Sequence, residues 1–281
     1  MTDTACPTQP VTPIVNKPRI ALMGEFSAGK STLANLLLEQ QSSPVQVTAT
    51  QLPPIWYRLG HGEVHRISLD GTREQIPNAD WSTTSTKDVQ MIEIGLQAET
   101  LHSADLIDMP GTSDPNLEIP YWKTVLPQVD IVVWCTPANQ AWRQSEAALW
   151  DDVPDALKPR SLLLITRMDQ IRNATDRDRI LQRVRHEVQG SFAEVLPVSL
   201  TQAMTAEDDD CVLEASGAAD MVRFLLSVLD GVGDKPRPDY VPYVPPKEPA
   251  FEAHDRIQTA PTSIIRRIVP RRAITRRLSP N

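Results

Sequence analysis

Apolar positions along the chain follow two different periods, and the alternation between them predicts the fold. Arg19–Met23 is a short apolar run that stops at Gly24, as a buried first strand does. Ile131–Thr136 and Leu162–Thr166 are continuous apolar runs, the pattern of parallel strands covered on both faces. Ala104–Asp108 is a further strand candidate, and Val195–Ser199 a shorter one. Between them, helical spacing marks Lys30–Gln40 (through Leu33, Leu36 and Leu37), Ser145–Asp151, Asp176–Gln189 and Ala218–Leu229. Ile55–Arg58 and Val64–Leu69 flank Gly60-His61-Gly62 and predict a hairpin. Strands alternating with helices imply an α/β domain, a mostly parallel sheet with helices on both faces. No internal repeat interrupts it.

The pattern also sets expected boundaries. Residues 1–17 form a Pro- and Thr-rich leader, 18–233 the α/β domain and 234–281 a disordered, Pro-rich basic tail, with eight prolines between Pro236 and Pro270. Of the 281 residues 41% are hydrophobic, ample for a buried core. No run reaches the roughly 18 apolar residues of a membrane span, and the first residues lack the basic start and apolar stretch of a secretory signal. Cys6, Cys135 and Cys211 stand far apart without a CxxC pair, which fits a reducing cytoplasm and neither a zinc site nor a disulfide framework. The net charge of −8 is uneven. From Arg256 onward seven arginines and no acid give +7, so the residues before carry −15. An acidic body argues against nucleic-acid binding by the folded domain.

Candidate chemistry begins where the first strand ends. Gly24-Glu25-Phe26-Ser27-Ala28-Gly29-Lys30-Ser31 fits GxxxxGK[ST] between a strand and a helix. Such a loop wraps a di- or triphosphate with backbone amides. Gly29 is needed where a side chain would collide, Lys30 neutralises the β and γ phosphates, and Ser31 ligates Mg²⁺, with Thr32 next in the helix. Asp108-Met109-Pro110-Gly111 follows another strand. Its carboxylate can hold Mg²⁺ through water, and the Gly111 amide can meet a γ-phosphate. Thr166-Arg167-Met168-Asp169 ends a third. Asp169 can accept hydrogen bonds from guanine N1–H and N2–H₂, donors that adenine lacks, and Arg167 can lie against the base. An ATP-directed reading would require Asp169 to be structural. Ser199 closes the last strand near where guanine O6 would lie. Between Ser42 and Pro54, Thr48 or Thr50 can supply the remaining Mg²⁺ ligand.

Together these segments resemble the dynamin superfamily, in particular the bacterial dynamin-like GTPases. GEFSAGKSTLANLLL (Gly24–Leu38) is similar to that family's GxFSAGKSTLxNxLL, DMPG matches its second segment, and TRMD stands for its TKxD. Against the family's TTAxPTxxxxG stretch Thr50 falls on the magnesium-ligand threonine, with Pro54 and Gly60 also aligned. Asn139–Glu146 is similar to the family's segment after the same strand. The resemblance implies a GTPase domain that takes GTP/GDP, uses Mg²⁺ held by Ser31, Thr50 and Asp108, and relies on Lys30 and Thr50 for hydrolysis. It also implies dimerisation across the nucleotide face, with self or a dynamin-like partner protein, bringing Glu25 and Phe26 near that face.

The chain departs from the family pattern in three places. Phe26 stands where eukaryotic dynamins have a glutamine, Thr112 and Ser113 follow DMPG where Ras-like proteins have one, and the stretch beyond the motifs is too short for a helical stalk. Slow intrinsic turnover is the expectation, and a weakly hydrolysing partner subunit of a larger dynamin-like or membrane complex is the alternative. Ile264–Leu278 repeats an arginine pair every five residues from Arg266 to Arg277. It suits an anionic membrane surface, at about 1 kcal/mol per Arg. An acidic partner, this chain's own acidic run Glu207–Asp210 or RNA could equally receive it; the last would suit an RNA-associated GTPase.

Overall fold

A computed structural model of the chain describes residues 17–39, 52–78, 89–112, 121–206 and 209–232. Within these, nine strands form one sheet: β1 (Arg19–Met23), β2 (Ile55–Leu59), β3 (Val64–Ser68), β4 (Arg73–Ile76), β5 (Val89–Leu96), β6 (Asp105–Asp108), β7 (Ile131–Pro137), β8 (Leu162–Thr166) and β9 (Glu194–Pro197). Their order is β4-β3-β5-β2-β6-β1-β7-β8-β9. The stretch β6-β1-β7-β8-β9 is wholly parallel. β2 lies antiparallel to β6 and parallel to β5, and β3 and β4 continue antiparallel to the edge. The helices are α1 (Lys30–Leu37), α2 (Thr100–Ser103), α3 (Tyr121–Val125), α4 (Gln144–Asp151), α5 (Ala174–Glu187), α6 (Leu200–Met204), α7 (Asp210–Ser216) and α8 (Ala218–Val232).

Side chains that alternate along a strand feed opposite faces. On β1, Ile20 and Leu22 join a core with Leu33 and Leu37 of α1, Leu200 of α6 and Met221 and Leu225 of α8. Ala21 and Met23 join a second core with Trp150 of α4 and Val184 of α5. β7 and β8 are therefore apolar up to a threonine near their ends, and each large apolar side chain, fully buried, contributes about 1.5–3 kcal/mol. This explains why Ile131–Thr136 and Leu162–Thr166 stand out as unbroken runs.

The sheet departs from the expected arrangement on one side. Ile55–Arg58 and Val64–Leu69 are strands, but they do not form a hairpin: β5 lies between them and pairs with both. The glycine-rich connection crosses the end of β5. Gly60 N donates to Leu96 O (3.0 Å) and Gly62 N to Gly95 O (3.0 Å). β5 itself is hidden in the sequence by polar residues at Gln90 and Glu93, which are 0% and 5% exposed. Arg73 Nη2 donates to the Glu93 carboxylate at 2.8 Å, and Arg58 lies 3.7 Å from it, so the charge is paired where the strand needs it buried. α1 ends at Leu37, short of the expected Gln40. Ser199 lies past the end of β9 and caps α6. The leader to residue 16, Thr48, Thr50, Ser113 and the tail from residue 233 lie outside the described residues.

Candidate functional site

β1 sits between β6 and β7, so the loop leaving its end emerges at the middle of the sheet. Two glycines have conformational reasons to be there. Gly24 takes φ +136°, and a Cβ on it would fall 2.2 Å from the Cys135 carbonyl oxygen of β7. Gly29 takes φ +98° at the start of α1. Ser27 also adopts a left-handed conformation (φ +58°), which turns successive amides toward a common concavity.

The N-terminus of α1 differs from those of α5, α6 and α7. Asn173, Ser199 and Asp209 cap α5, α6 and α7 through side-chain oxygens, whereas α1 has no side-chain cap and no acid in its first turn. Its open amides and positive dipole end suit an anionic ligand. Lys30 is 7% exposed, and its Nζ donates to Gly24 O (3.0 Å) and Glu25 O (2.8 Å). Burial pushes the ammonium below the ordinary lysine range, against the opposing influence of Asp108, Cys135 and Glu25. The Cys135 thiol beneath the loop is pushed up to about 12, again by burial, and stays neutral. A phosphate brought to this cation in so dry a setting is attracted more strongly than in water.

The second segment lies against the first. Asp108 ends β6, buried and paired in register with Leu22 of β1. Thr112 N donates to Gly24 O at 3.2 Å, and a Cβ on Gly111 would fall 2.9 Å from Phe26 N. Only glycine fits there. The Ser31 hydroxyl and the Asp108 carboxylate are hard oxygen donors of the kind Mg²⁺ takes alongside substrate phosphates, so this donor set fits the ion. Ser31 and Thr32 are half-buried in the first turn of α1.

The base end forms from β8 and β9. Buried Thr166 donates from Oγ1 to Ala28 O (2.8 Å), tying β8 to the loop. Arg167 adopts φ +58° and donates from its guanidinium to Ser27 O, which places this cation beside the loop. Ser199 Oγ donates to Asp169 Oδ1 at 2.9 Å, and Met168 N donates to Val198 O. The pair borders a cavity of about 280 Å³ lined also by Met168, Val198, Gln202 and Gly217. The residues singled out in four separate stretches thus meet at one end of the parallel strands, the usual place for a ligand in such sheets.

Sequence reasoning missed one connection to this site. Both carboxylate oxygens of Glu25 are engaged from the segment after β7: Arg143 Nη1 donates to Oε2 (2.8 Å) and Ser145 Oγ to Oε1 (2.6 Å). The similarity of Asn139–Glu146 to a known segment was the available signal, without a hint of what it touches.

Comparison with known proteins accords with these features. A profile described as the dynamin family matches residues 20–168. Dynamin-like protein 2 of Campylobacter jejuni is 22% identical over 212 residues, covering 73% of this chain and 34% of that protein. Isoniazid-induced protein IniC of Mycobacterium tuberculosis is 32% identical over 105 residues, covering 34% of this chain and 21% of its own length. This chain thus spans about a fifth to a third of those relatives. A solved structure from an oligomerised bacterial dynamin pair, described as sensing and tethering membranes over long range, superposes with TM-score 0.61 at 17% identity. That match covers 78% of this chain and 40% of the other.

Proposed function

The chain belongs to the dynamin family, and from that premise we propose that it binds GTP and hydrolyses it slowly in a Mg²⁺-dependent reaction. The observation that carries the reading is the convergence of the uncapped α1 and Lys30 at one end of the site with the Ser199–Asp169 pair at the other. In this reading amides of Ser27–Ser31 cradle the phosphates and Lys30 leaves its two carbonyl partners for the β and γ phosphates. Asp169 accepts from guanine N1–H and N2–H₂ while Arg167 flanks the base. Ser31, Thr50 and, through water, Asp108 would hold Mg²⁺, which would offset negative charge on the phosphates. A water oxygen attacks the γ-phosphorus in line, the bond to the β–γ bridging oxygen breaks, and GDP and phosphate leave. In this reading the Gly111 amide, beside Phe26, senses whether the γ-phosphate is present.

Phe26 is 63% exposed on the loop. An apolar side chain there cannot polarise water, which supports slow intrinsic turnover and assembly with a second copy or a dynamin-like partner across the nucleotide face. Action at a membrane, through the basic segment Arg266–Arg277 or within a complex, extends the same reading, with the protein otherwise cytoplasmic. Among the described residues no helix is long and apolar enough to cross a membrane. The exposed Phe26 also favours a second reading, a partner subunit that binds nucleotide and hydrolyses little.

Titrating the protein with GTP, GDP and ATP in Mg²⁺ tests the first step. Guanine nucleotides should bind at least about 100-fold tighter than ATP. Equal binding of ATP would overturn the assignment of Asp169. Sedimentation with and without a non-hydrolysable GTP analogue tests assembly; a nucleotide-independent monomer at all concentrations would remove it.

A further inference from the structure

The pairing of Glu25 with Arg143 and Ser145 points to a role that phosphate binding does not require. Glu25 is the second residue of the loop, 118 positions from Arg143, and its side chain is 13% exposed. Its backbone oxygen receives Lys30 Nζ at 2.8 Å and Ala28 N at 3.3 Å. One residue therefore carries a carboxylate clamped from outside the loop and a carbonyl that holds the loop's lysine and its turn.

The clamp has a rigid base. Arg143 is the N-cap of α4, and its backbone N donates to Glu146 Oε2 at 2.9 Å. Glu146 is fully buried and also accepts from Trp134 Nε1 and Thr136 Oγ1 on β7, both at 3.0 Å. Trp142 N donates to Thr136 Oγ1, and the Trp142 ring lies edge-on to Trp134 and Phe192. The backbone at residue 143 is thus fixed to the strand next to β1, while the guanidinium, 43% exposed, reaches the loop.

We propose that Arg143 is a positioning residue for hydrolysis: through Glu25 it sets the loop's Glu25–Phe26 segment against Gly111, and so the place of the γ-phosphate. This deepens the GTPase reading above and rests on it. The Phe26 backbone is what a Cβ on Gly111 would strike, so a small tilt at Glu25 changes the gap into which the γ-phosphate fits. The amides that hold the α and β phosphates come later in the loop and carry no bond to Arg143. Loss of Arg143 should therefore slow turnover while leaving GDP binding in place. An ion pair whose guanidinium is 43% exposed contributes little to folding, which separates this role from a merely structural one.

The test is a charge-reversal cycle in the full chain under saturating GTP and Mg²⁺, with GDP affinity and thermal midpoint measured alongside. Arg143→Ala should lower kcat at least about tenfold with GDP affinity within about threefold of wild type. Arg143→Glu, facing Glu25, should be slower still, and Glu25→Arg combined with Arg143→Glu should recover much of the loss. Arg143→Lys, which keeps the charge but not the guanidinium geometry, should fall between wild type and alanine. The inference is overturned by wild-type kcat in Arg143→Ala, by a parallel loss of GDP affinity, or by a double variant no faster than Arg143→Glu. Absence of turnover in the wild type itself would instead bring down the GTPase reading and this inference with it.

Discussion

Replacing Asp169 with asparagine should exchange guanine for xanthine as the preferred base. Ser199 Oγ donates to Oδ1 at 2.9 Å and so fixes the carboxylate's orientation, leaving Oδ2 and one lone pair of Oδ1 for the base. Guanine offers N1–H and N2–H₂ to these positions. A hydrogen bond to a charged group contributes about 1.5–3 kcal/mol, and a donor left facing another donor costs about 1–3 kcal/mol. In Asp169→Asn the amide oxygen stays on the Ser199 side and its NH₂ faces a guanine donor. One charge-assisted bond is lost and the other weakened. The loss comes to about 3–4 kcal/mol, on the order of 10²–10³ in GTP affinity. Xanthine has an acceptor oxygen in place of the 2-amino group, so the variant's NH₂ meets a partner and XTP binding improves. Displacement of a fluorescent GDP analogue by GTP and XTP, in wild type and variant, reads both numbers. GTP affinity within threefold of wild type with no gain for XTP would refute the geometry assigned to Asp169.

Gly24→Ala should lower the thermal midpoint by about 10 °C or more, from a loss of at least about 3 kcal/mol. The new Cβ meets Cys135 O at 2.2 Å in a backbone with φ +136°, and an unchanged midpoint would contradict that contact. Asp105, 4% exposed, has its carboxyl held above the usual range by burial, partly opposed by Arg58, Arg19, a hydrogen bond from Trp56 and Lys17. Its folded pKa exceeds the unfolded value of about 3.9, so its contribution is greatest below that pH and declines as pH rises through the folded pKa. In denaturant unfolding, the wild-type stability relative to Asp105→Asn should therefore fall as pH increases from about 4 to about 7; a difference that grows would reverse the sign. Thr50→Ala should reduce Mg²⁺-dependent GTP turnover by about 100-fold or more, and Thr48→Ala by less than about threefold. Equal losses in steady-state phosphate release would leave the Mg²⁺ ligand with neither or both.

The motifs of the candidate site could be read in the sequence because each is local. Gly24 is demanded by positive φ and close backbone approach and Gly29 by positive φ, while Lys30 opens the helix after β1, Asp108 ends β6 and Asp169 follows β8. The central parallel strands were legible for the same reason, since burial on both faces leaves unbroken apolar runs. What escaped depends on partners distant in sequence. β5 carries Gln90 and Glu93 into the core, and nothing near them announces that Arg58 and Arg73 will meet Glu93. The glycines at 60 and 62 suggested a tight turn between neighbouring strands. The turn exists, but a strand entering later from residue 89 occupies the space between its arms. The Glu25 clamp likewise joins residues 118 apart, and a single glutamate in a loop gives no sign of its partner.

Release of phosphate from GTP, measured in Mg²⁺ over a range of protein concentrations beside Lys30→Ala and an ATP control, tests the central claim most directly. The account predicts slow turnover of GTP and not ATP, specific activity that rises with concentration, and loss of the activity in Lys30→Ala. Turnover that persists in Lys30→Ala, or GTP bound tightly with negligible release at every concentration, would contradict it.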